Sequence, residues 1–203
     1  CNGSDLEQFV SVGTQNICAI NREGLSLCWG EENNILFQTP TDTLQRIELN
    51  SHEEVRYGCA LDDRGHILCW GDDEDGSVSD APSGTYLQLS VGERTSCAIN
   101  SIGQLQCWGR NACDQNYEPV GKYRSVDTFD CHVCAVEDDG EIECWGGDNG
   151  LPMGQLDAPS GYDYVQVGVG DYHACALKKS GEIECWGAEN PDYDFGQATP
   201  PTG

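Results

Sequence analysis

One thirteen-residue phrase, written five times, constrains this chain more than anything else in it. Cys97-Ala98-Ile99-Asn100-Ser101-Ile102-Gly103-Gln104-Leu105-Gln106-Cys107-Trp108-Gly109 recurs at 18–30, 59–71, 134–146 and 175–187. Each copy reads Cys-Ala-apolar, three variable residues, Gly, three residues, Cys-Trp-Gly. The remaining sequence connects the copies.

Each copy reads as a β-hairpin. In the first, Cys18 to Asn21 is one strand, Arg22-Glu23-Gly24 the turn and Leu25 to Trp29 the return strand. A three-residue loop ending in a left-handed glycine is a common hairpin connection. Gly24, Gly65, Gly103, Gly140 and Gly181 stand at that position, where a Cβ would be penalised. Counting outward from the loop, Asn21 faces Leu25, Ile20 faces Ser26, Ala19 faces Leu27 and Cys18 faces Cys28. That cysteine pair falls at a non-hydrogen-bonded site, where Cα atoms approach to about 4.5 Å and a disulfide can close. The spacing therefore predicts Cys18–Cys28, Cys59–Cys69, Cys97–Cys107, Cys134–Cys144 and Cys175–Cys185.

Alternation agrees with that register. The cysteine face also carries Ile20, Leu61, Ile99, Val136 and Leu177, with Ile67, Leu105, Ile142 and Ile183 across from the last four. The other face of the return strand shows Gln104 and Gln106, Glu141 and Glu143, Glu182 and Glu184. One face is expected to be buried and the other largely wet.

Lys and Arg number 10 against 35 Asp and Glu, for a net charge of -25 over 203 residues. That balance excludes a nucleic-acid backbone as the natural partner and opposes binding to an anionic membrane surface. It suits a basic protein, cations, or solubility in salt. Thirteen cysteines at this spacing imply an oxidising compartment. The single CxxC, Cys131-His132-Val133-Cys134, reads as neither redox nor zinc motif, because Cys134 already has a hairpin partner in Cys144. Cys131 pairs instead with Cys113, the other unassigned cysteine in the body of the chain. Cys1 is left over, and the start Cys1-Asn2-Gly3-Ser4-Asp5 looks like a mature bacterial lipoprotein, whose first cysteine carries lipid; Asn2-Gly3-Ser4 is also a glycosylation sequon. No stretch is long and apolar enough to span a bilayer as a helix, and no signal peptide is seen.

A strand-like run precedes every hairpin: 8–13, 44–49, 86–92, 123–126 and 164–168. After each Trp-Gly comes a longer loop rich in acid, Asn, Gly and Pro, at 31–43, 72–85, 110–122, 147–163 and 188–203. No helical periodicity appears. Repeats of about forty residues holding several short strands are the mark of a β-propeller. The expectation is one all-β domain over 1–203 with five repeats, in which the first strand completes the last blade or is donated to a neighbouring subunit.

Cys-Ala-Leu-x-x-x-Gly-x-Ile-x-Cys-Trp-Gly at 175–187, preceded by Val-x-Val-Gly-x-x-His at 167–173, resembles the RCC1 repeat superfamily. It looks closest to the secreted, disulfide-bearing branch that includes propellers of the β-lactamase inhibitor protein II type. The resemblance covers nearly the whole chain. It implies radially arranged blades whose glycine-bearing hairpins are buried against their neighbours, usually seven to a ring. Five hairpins suggest a five-bladed ring, an arc, or a subunit completed by a neighbour. In the inhibitor relative, recognition uses the loop face.

Candidate chemistry is sparse. The histidines are His52, His66, His132 and His173; the last two share one repeat position in different blades and read as structural. No Ser-His-Asp spacing, phosphate loop or metalloprotease motif points to an enzyme. Asp72-Asp73-Glu74-Asp75-Gly76 resembles a calcium loop, with Asp72, Asp73 and Asp75 as weak ligand candidates, but Gly71 occupies the first ligand position. Comparable loops carry Asn33, Asn34, Asp148, Asn149, Glu189, Asn190, Asp192 and Asp194, all expected on one rim as a solvated acidic surface. Trp29, Trp70, Trp108, Trp145 and Trp186 fit packing beside each cysteine better than a sugar-stacking ring. Phe37, Tyr117, Tyr162, Tyr193 and Phe195 are the loop aromatics expected to form a protein-binding face. The sequence thus points to a non-enzymatic, secreted or surface-anchored interaction module without a cofactor, whose partner is another protein. A structural subunit joined by strand exchange or edge packing, and a lectin, are the alternatives.

Overall fold

The hairpin turn forms as the spacing predicts. In the first copy the Asn21 N–H donates to the Leu25 carbonyl (3.0 Å), the Gly24 N–H donates to Asn21 (2.9 Å), and the Asn21 carboxamide accepts from the N–H groups of Glu23 and Leu25. Gly24 has φ +80° and Gly103 φ +85°. The computed structural model describes residues 10–30, 38–50, 56–147, 153–190 and 192–200. Cys1, the sequon at Asn2, Asn33, Asn34, Phe37, His52, Asp148 and Asn149 lie outside the described residues.

Among the described residues, fifteen strands make five antiparallel sheets of three. Blade 1 holds β1 (Val10–Val12), β2 (Asn16–Ile20) and β3 (Ser26–Gly30); blade 2 holds β4 (Leu44–Leu49), β5 (Tyr57–Asp62) and β6 (Ile67–Gly71). Blade 3 holds β7 (Tyr86–Val91), β8 (Thr95–Asn100) and β9 (Leu105–Gly109); blade 4 holds β10 (Tyr123–Phe129), β11 (His132–Glu137) and β12 (Ile142–Gly146). Blade 5 holds β13 (Tyr164–Val169), β14 (His173–Lys178) and β15 (Ile183–Gly187). In every blade the middle strand pairs with both others, and the hairpin cysteines sit directly opposite one another. All five hairpin disulfides are formed, with Cα atoms 4.0–4.1 Å apart. Cys113–Cys131 is the sixth. It ties the loop leaving blade 3 to the turn between β10 and β11 of blade 4.

The core is not central but is divided into four interblade layers. Each sheet has a cysteine face and, because side chains alternate, a tryptophan face. The cysteine face of each of the first four blades packs against the tryptophan face of the next. Cys18 and Ile20 meet Ile47, Leu49, Ala60 and Trp70; Cys134, Val136 and Ile142 meet Val167, Ala174, Ala176 and Trp186. In these joints the hairpin glycines Gly24, Gly65 and Gly140 are buried and Gly103 is half-buried, whereas Gly181, beyond the last joint, is exposed. The carbonyls of Gly24, Gly65, Gly103 and Gly140 accept from the N–H groups of Leu44, Tyr86, Tyr123 and Tyr164 at the start of the next blade.

One sequence expectation is revised. β1 pairs with β2 inside its own blade, in the register Val10↔Ala19, Ser11↔Cys18, Val12↔Ile17. It does not complete blade 5 but is the edge strand of its own sheet. Blade 1 packs only on blade 2, and no comparable packing joins β13–β15 to β1–β3 among the described residues. The five blades form an open arc of a propeller.

Candidate interaction surfaces

The long loops do not lie on one rim, as the sequence suggested. Each leaves from the rim that carries the turn between first and second strands: the N–H groups of Asp72, Arg110, Gly147 and Ala188 donate to Arg56, Arg94, Cys131 and Tyr172. Each described loop then ends on the opposite rim, at the hairpin turn whose glycine carbonyl receives the next strand. The loops therefore run across the outer edge of the joints. There they cap the indoles. Trp108, Trp145 and Trp186 donate Nε1–H to the carbonyls of Ser77, Gln115 and Gln155, at 2.9–3.0 Å. The tryptophans are packing elements, and Trp29 alone is well exposed, at 51 %.

Consequently the loop aromatics are separated. Tyr162 is exposed beside the Gly140 hairpin turn, where its carbonyl crowds that glycine. Tyr193 lies on the other rim, its ring 4.8 Å from that of Tyr172 and tilted 52° to it. Tyr117 and Phe195 are exposed on the loops leaving blades 3 and 5. The rim around Tyr172 also gathers acids. Burial and the neighbouring Asp130 raise the Asp171 carboxyl above the usual range; burial and Asp171 raise Tyr172 in turn. Cys113–Cys131 fixes this rim from one side. His132 is buried at its base with Nε2 lacking a hydrogen-bond partner, and burial lowers its pKa to about 4, so the ring is neutral at pH 7. His173, on the neighbouring blade, also has a lowered pKa from burial and adds to the depression at His132.

Asp72, Asp73 and Asp75 are held to separate tasks. Asp72 accepts from the Arg56 N–H; Asp75 pairs with Arg94 at 3.3 Å. The N–H groups of Ser79 and Val78 hold the Asp73 carboxyl below the usual range. Among the described residues no three His, Cys, Asp or Glu side chains stand close enough to share a metal.

Sequence reading missed a polar seam along the axis. At the first-strand position facing each hairpin cysteine stand Ser11, Glu48, Ser90, Asp127 and Gly168. Ser11 Oγ accepts from the Leu49 N–H (2.9 Å), Ser90 Oγ from Thr128 (3.2 Å) and Asp127 Oδ2 from Val169 (2.7 Å), each on the next blade. Ser90 also donates to Asp127 Oδ1 at 2.6 Å. Burial raises the carboxyls of Glu48 and Asp127, although Arg46 pairs with Glu48 at 2.8 Å and opposes the shift. The recurrence of small or acidic residues at that position was the available signal.

An open β-propeller of three-stranded blades, each stapled by its own disulfide, is therefore the class of this protein. The model of the Regulator of chromosome condensation (RCC1) repeat matches residues 87–115 and 164–197. Those two stretches, in blades 3 and 5, are similar to that repeat. It is similar to the ectodomain of the Physcomitrella patens receptor kinase CR4, at 25% identity and TM-score 0.68, over 88% of this chain and 50% of that one. The CRINKLY WD40 ectodomain of the Arabidopsis thaliana receptor kinase ACR4 matches at 21% identity and TM-score 0.72, over 91% and 66%. Prp20p from Saccharomyces cerevisiae matches at 14% identity and TM-score 0.67, over 88% and 57%. The chain thus spans half to about two thirds of the length of these structures. No curated protein sequence matches it.

Proposed function

We propose that this chain is a non-enzymatic, extracellular or surface-held protein-interaction module that takes a basic protein partner at the rim of Tyr172 and Tyr193. Six disulfides and the likeness to receptor ectodomains support an oxidising, extracellular setting. The observation that carries the binding reading is the coincidence, on one disulfide-fixed rim, of a tyrosine pair with the Asp171 carboxyl, which burial and the neighbouring Asp130 raise. Tyrosines supply contact area at low entropic cost, and a bound Lys or Arg relieves the repulsion between Asp130 and Asp171. Tyr117 and Phe195 extend the surface along the outer edge. The fold does not fix a target, so the partner is argued from the rim alone.

Titration of the chain with an Arg- and Lys-rich peptide tests it. Binding should weaken at least about tenfold in Tyr193→Ala and in Asp171→Asn at unchanged thermal stability, and should fall with added salt. Equal affinity for both variants and wild type sinks the proposal.

A further inference from the structure

In blades 2 to 5 the first strand carries one residue too many for its ladder. Leu44 faces Asp62 and Arg46 faces Leu61, which leaves Gln45 without a cross-strand partner. Leu87, Arg124 and Val165 are the matching extra residues of blades 3, 4 and 5. The first strands are the sheet edges that meet one another along the axis, and the extra residue stands at the start of each, on the rim of the hairpin turns. A bulge of this kind re-aims a side chain and recurs beside functional sites. Here Gln45 and Leu87 are exposed at the mouth of the axis, with Arg124 and Val165 half-buried.

Two cavities open at that mouth, one of about 580 Å³ bounded by blades 1 to 3 and one of about 470 Å³ bounded by blades 3 and 4. Leu87 and Gln88 line both, so the two make one groove with Leu87 at its middle. Leu87 is 67% exposed, and Ile102, on the adjoining hairpin turn, is 62% exposed. The charge of the groove is unlike that of the chain. Four cations, Arg22, Arg46, Lys122 and Arg124, line it with three acids, Glu23, Asp63 and Asp138, whereas the whole chain has 10 cations for 35 acids. Arg46 is held by Glu48, and Asp63 stands beside Arg64 at 3.9 Å. Among the described residues Arg22, Lys122 and Arg124 make no ion pair, despite the excess of acid around them.

We infer that this groove takes an acidic peptide segment of a partner protein, with one apolar side chain against Leu87 and carboxylates on Arg22 at one side and on Lys122 and Arg124 at the other. Charge-assisted bonds from arginine fix the carboxylates, and burial of Leu87 adds the apolar contribution. A simple anion would leave Leu87 and Ile102 unused. A nucleic acid, with its closely spaced phosphates, is repelled by the net charge of -25. The groove is built from joints inside the arc, between blades 1 and 4. It lies on the rim opposite Tyr172 and Tyr193, prefers the opposite charge, and stands independently of the basic partner proposed there. At about 0.15 M salt the Debye length is about 8 Å, so contacts within the groove persist while the acids of the far rim are screened.

Fluorescence anisotropy at that ionic strength, with a labelled peptide of Asp and Glu around one central Leu, tests it. The wild type should bind the peptide and release it as salt is raised to about 1 M. Leu87→Asp, at an exposed position, and Arg124→Glu should each weaken binding at least about tenfold at unchanged thermal stability. Replacing the central Leu of the peptide by Ser should weaken binding to the wild type in the same way. Tyr193→Ala should bind as the wild type does. A wild type that does not bind the peptide, or variants that both bind it as well as the wild type, overturns the inference. A loss in Tyr193→Ala as large as in Leu87→Asp overturns it equally, because the peptide would then sit on the other rim.

Discussion

Asp127 Oδ2 accepts a hydrogen bond from the backbone N–H of Val169, 2.7 Å away on the next blade, while Oδ1 takes the Ser90 hydroxyl from the blade before. One carboxyl thereby joins three consecutive blades at the axis. Removing it in Asp127→Ala leaves the Val169 amide and the Ser90 hydroxyl without their acceptor, which should cost about 2 kcal/mol in urea unfolding. Asp127→Asn keeps an acceptor and drops a charge that burial already disfavours, so it should cost less than about 1 kcal/mol. Equal losses in the two variants would show that the charge, not the geometry, matters.

Two hairpin glycines separate strain from collision. Gly181 has φ +91° with open space around it, whereas a Cβ on Gly140, at φ +99°, runs into the Tyr162 carbonyl of the joint. Gly181→Ala should cost about 1 kcal/mol of backbone strain alone. Gly140→Ala carries the same strain and must also push backbone apart, so its loss should be about 3 kcal/mol. Thermal unfolding of the pair reads the difference directly, and identical shifts would remove the packing role assigned to the Gly140 turn.

His132 makes stability fall in mild acid. Its pKa is lowered by burial to about 4 in the fold, against about 6.5 in an unfolded chain. The unfolded state therefore binds the extra proton between those values, so stability is complete above about pH 6.5 and declines down to about pH 4. The loss is on the order of 2–3 kcal/mol at about 1.4 kcal/mol per unit. Glu48 and Asp127 act in the opposite sense, because their raised carboxyls are relieved as they protonate. His132→Asn should flatten the decline between pH 6.5 and 4; an unchanged slope would place the titrating group elsewhere.

What the sequence made legible was local. The Cys18–Cys28 register follows from one turn type, since a slip of one residue would turn every cysteine to the opposite face. The joints were harder to read. Trp70 and Ile47 declare themselves apolar, but whether they cover Cys18 of the blade before or Cys97 of the blade after is a matter of strand twist, which no single repeat encodes. The axial seam stayed hidden for a related reason: Ser11, Ser90 and Asp127 act on backbone N–H groups of the neighbouring blade, and a backbone amide leaves no mark in the sequence. The loops were placed on one rim because composition marks a loop without marking where it ends.

The two kinds of disulfide should differ in what their loss costs. Cys97–Cys107 and Cys113–Cys131 close chain segments with sequence separations of 10 and 18, so loop entropy gives each about 3 kcal/mol. Their surroundings are unlike. Cys97 is fully buried in the joint with Val126, Val133 and Trp145 and Cys107 is half-buried against it, whereas Cys131 is buried outside the four apolar layers and Cys113 is half-buried at the rim. The double variant Cys97→Ser, Cys107→Ser therefore also forces a hydroxyl into an apolar layer, at about 1–3 kcal/mol more. It should lose stability clearly beyond Cys113→Ser, Cys131→Ser, and Cys97→Ala, Cys107→Ala should recover part of the excess. Equal denaturation midpoints for the two serine double variants would mean that the bridges act through chain entropy alone. Unreduced peptide mapping of the wild type, finding the five Cys(n)–Cys(n+10) links and Cys113–Cys131, is the control that makes the comparison meaningful.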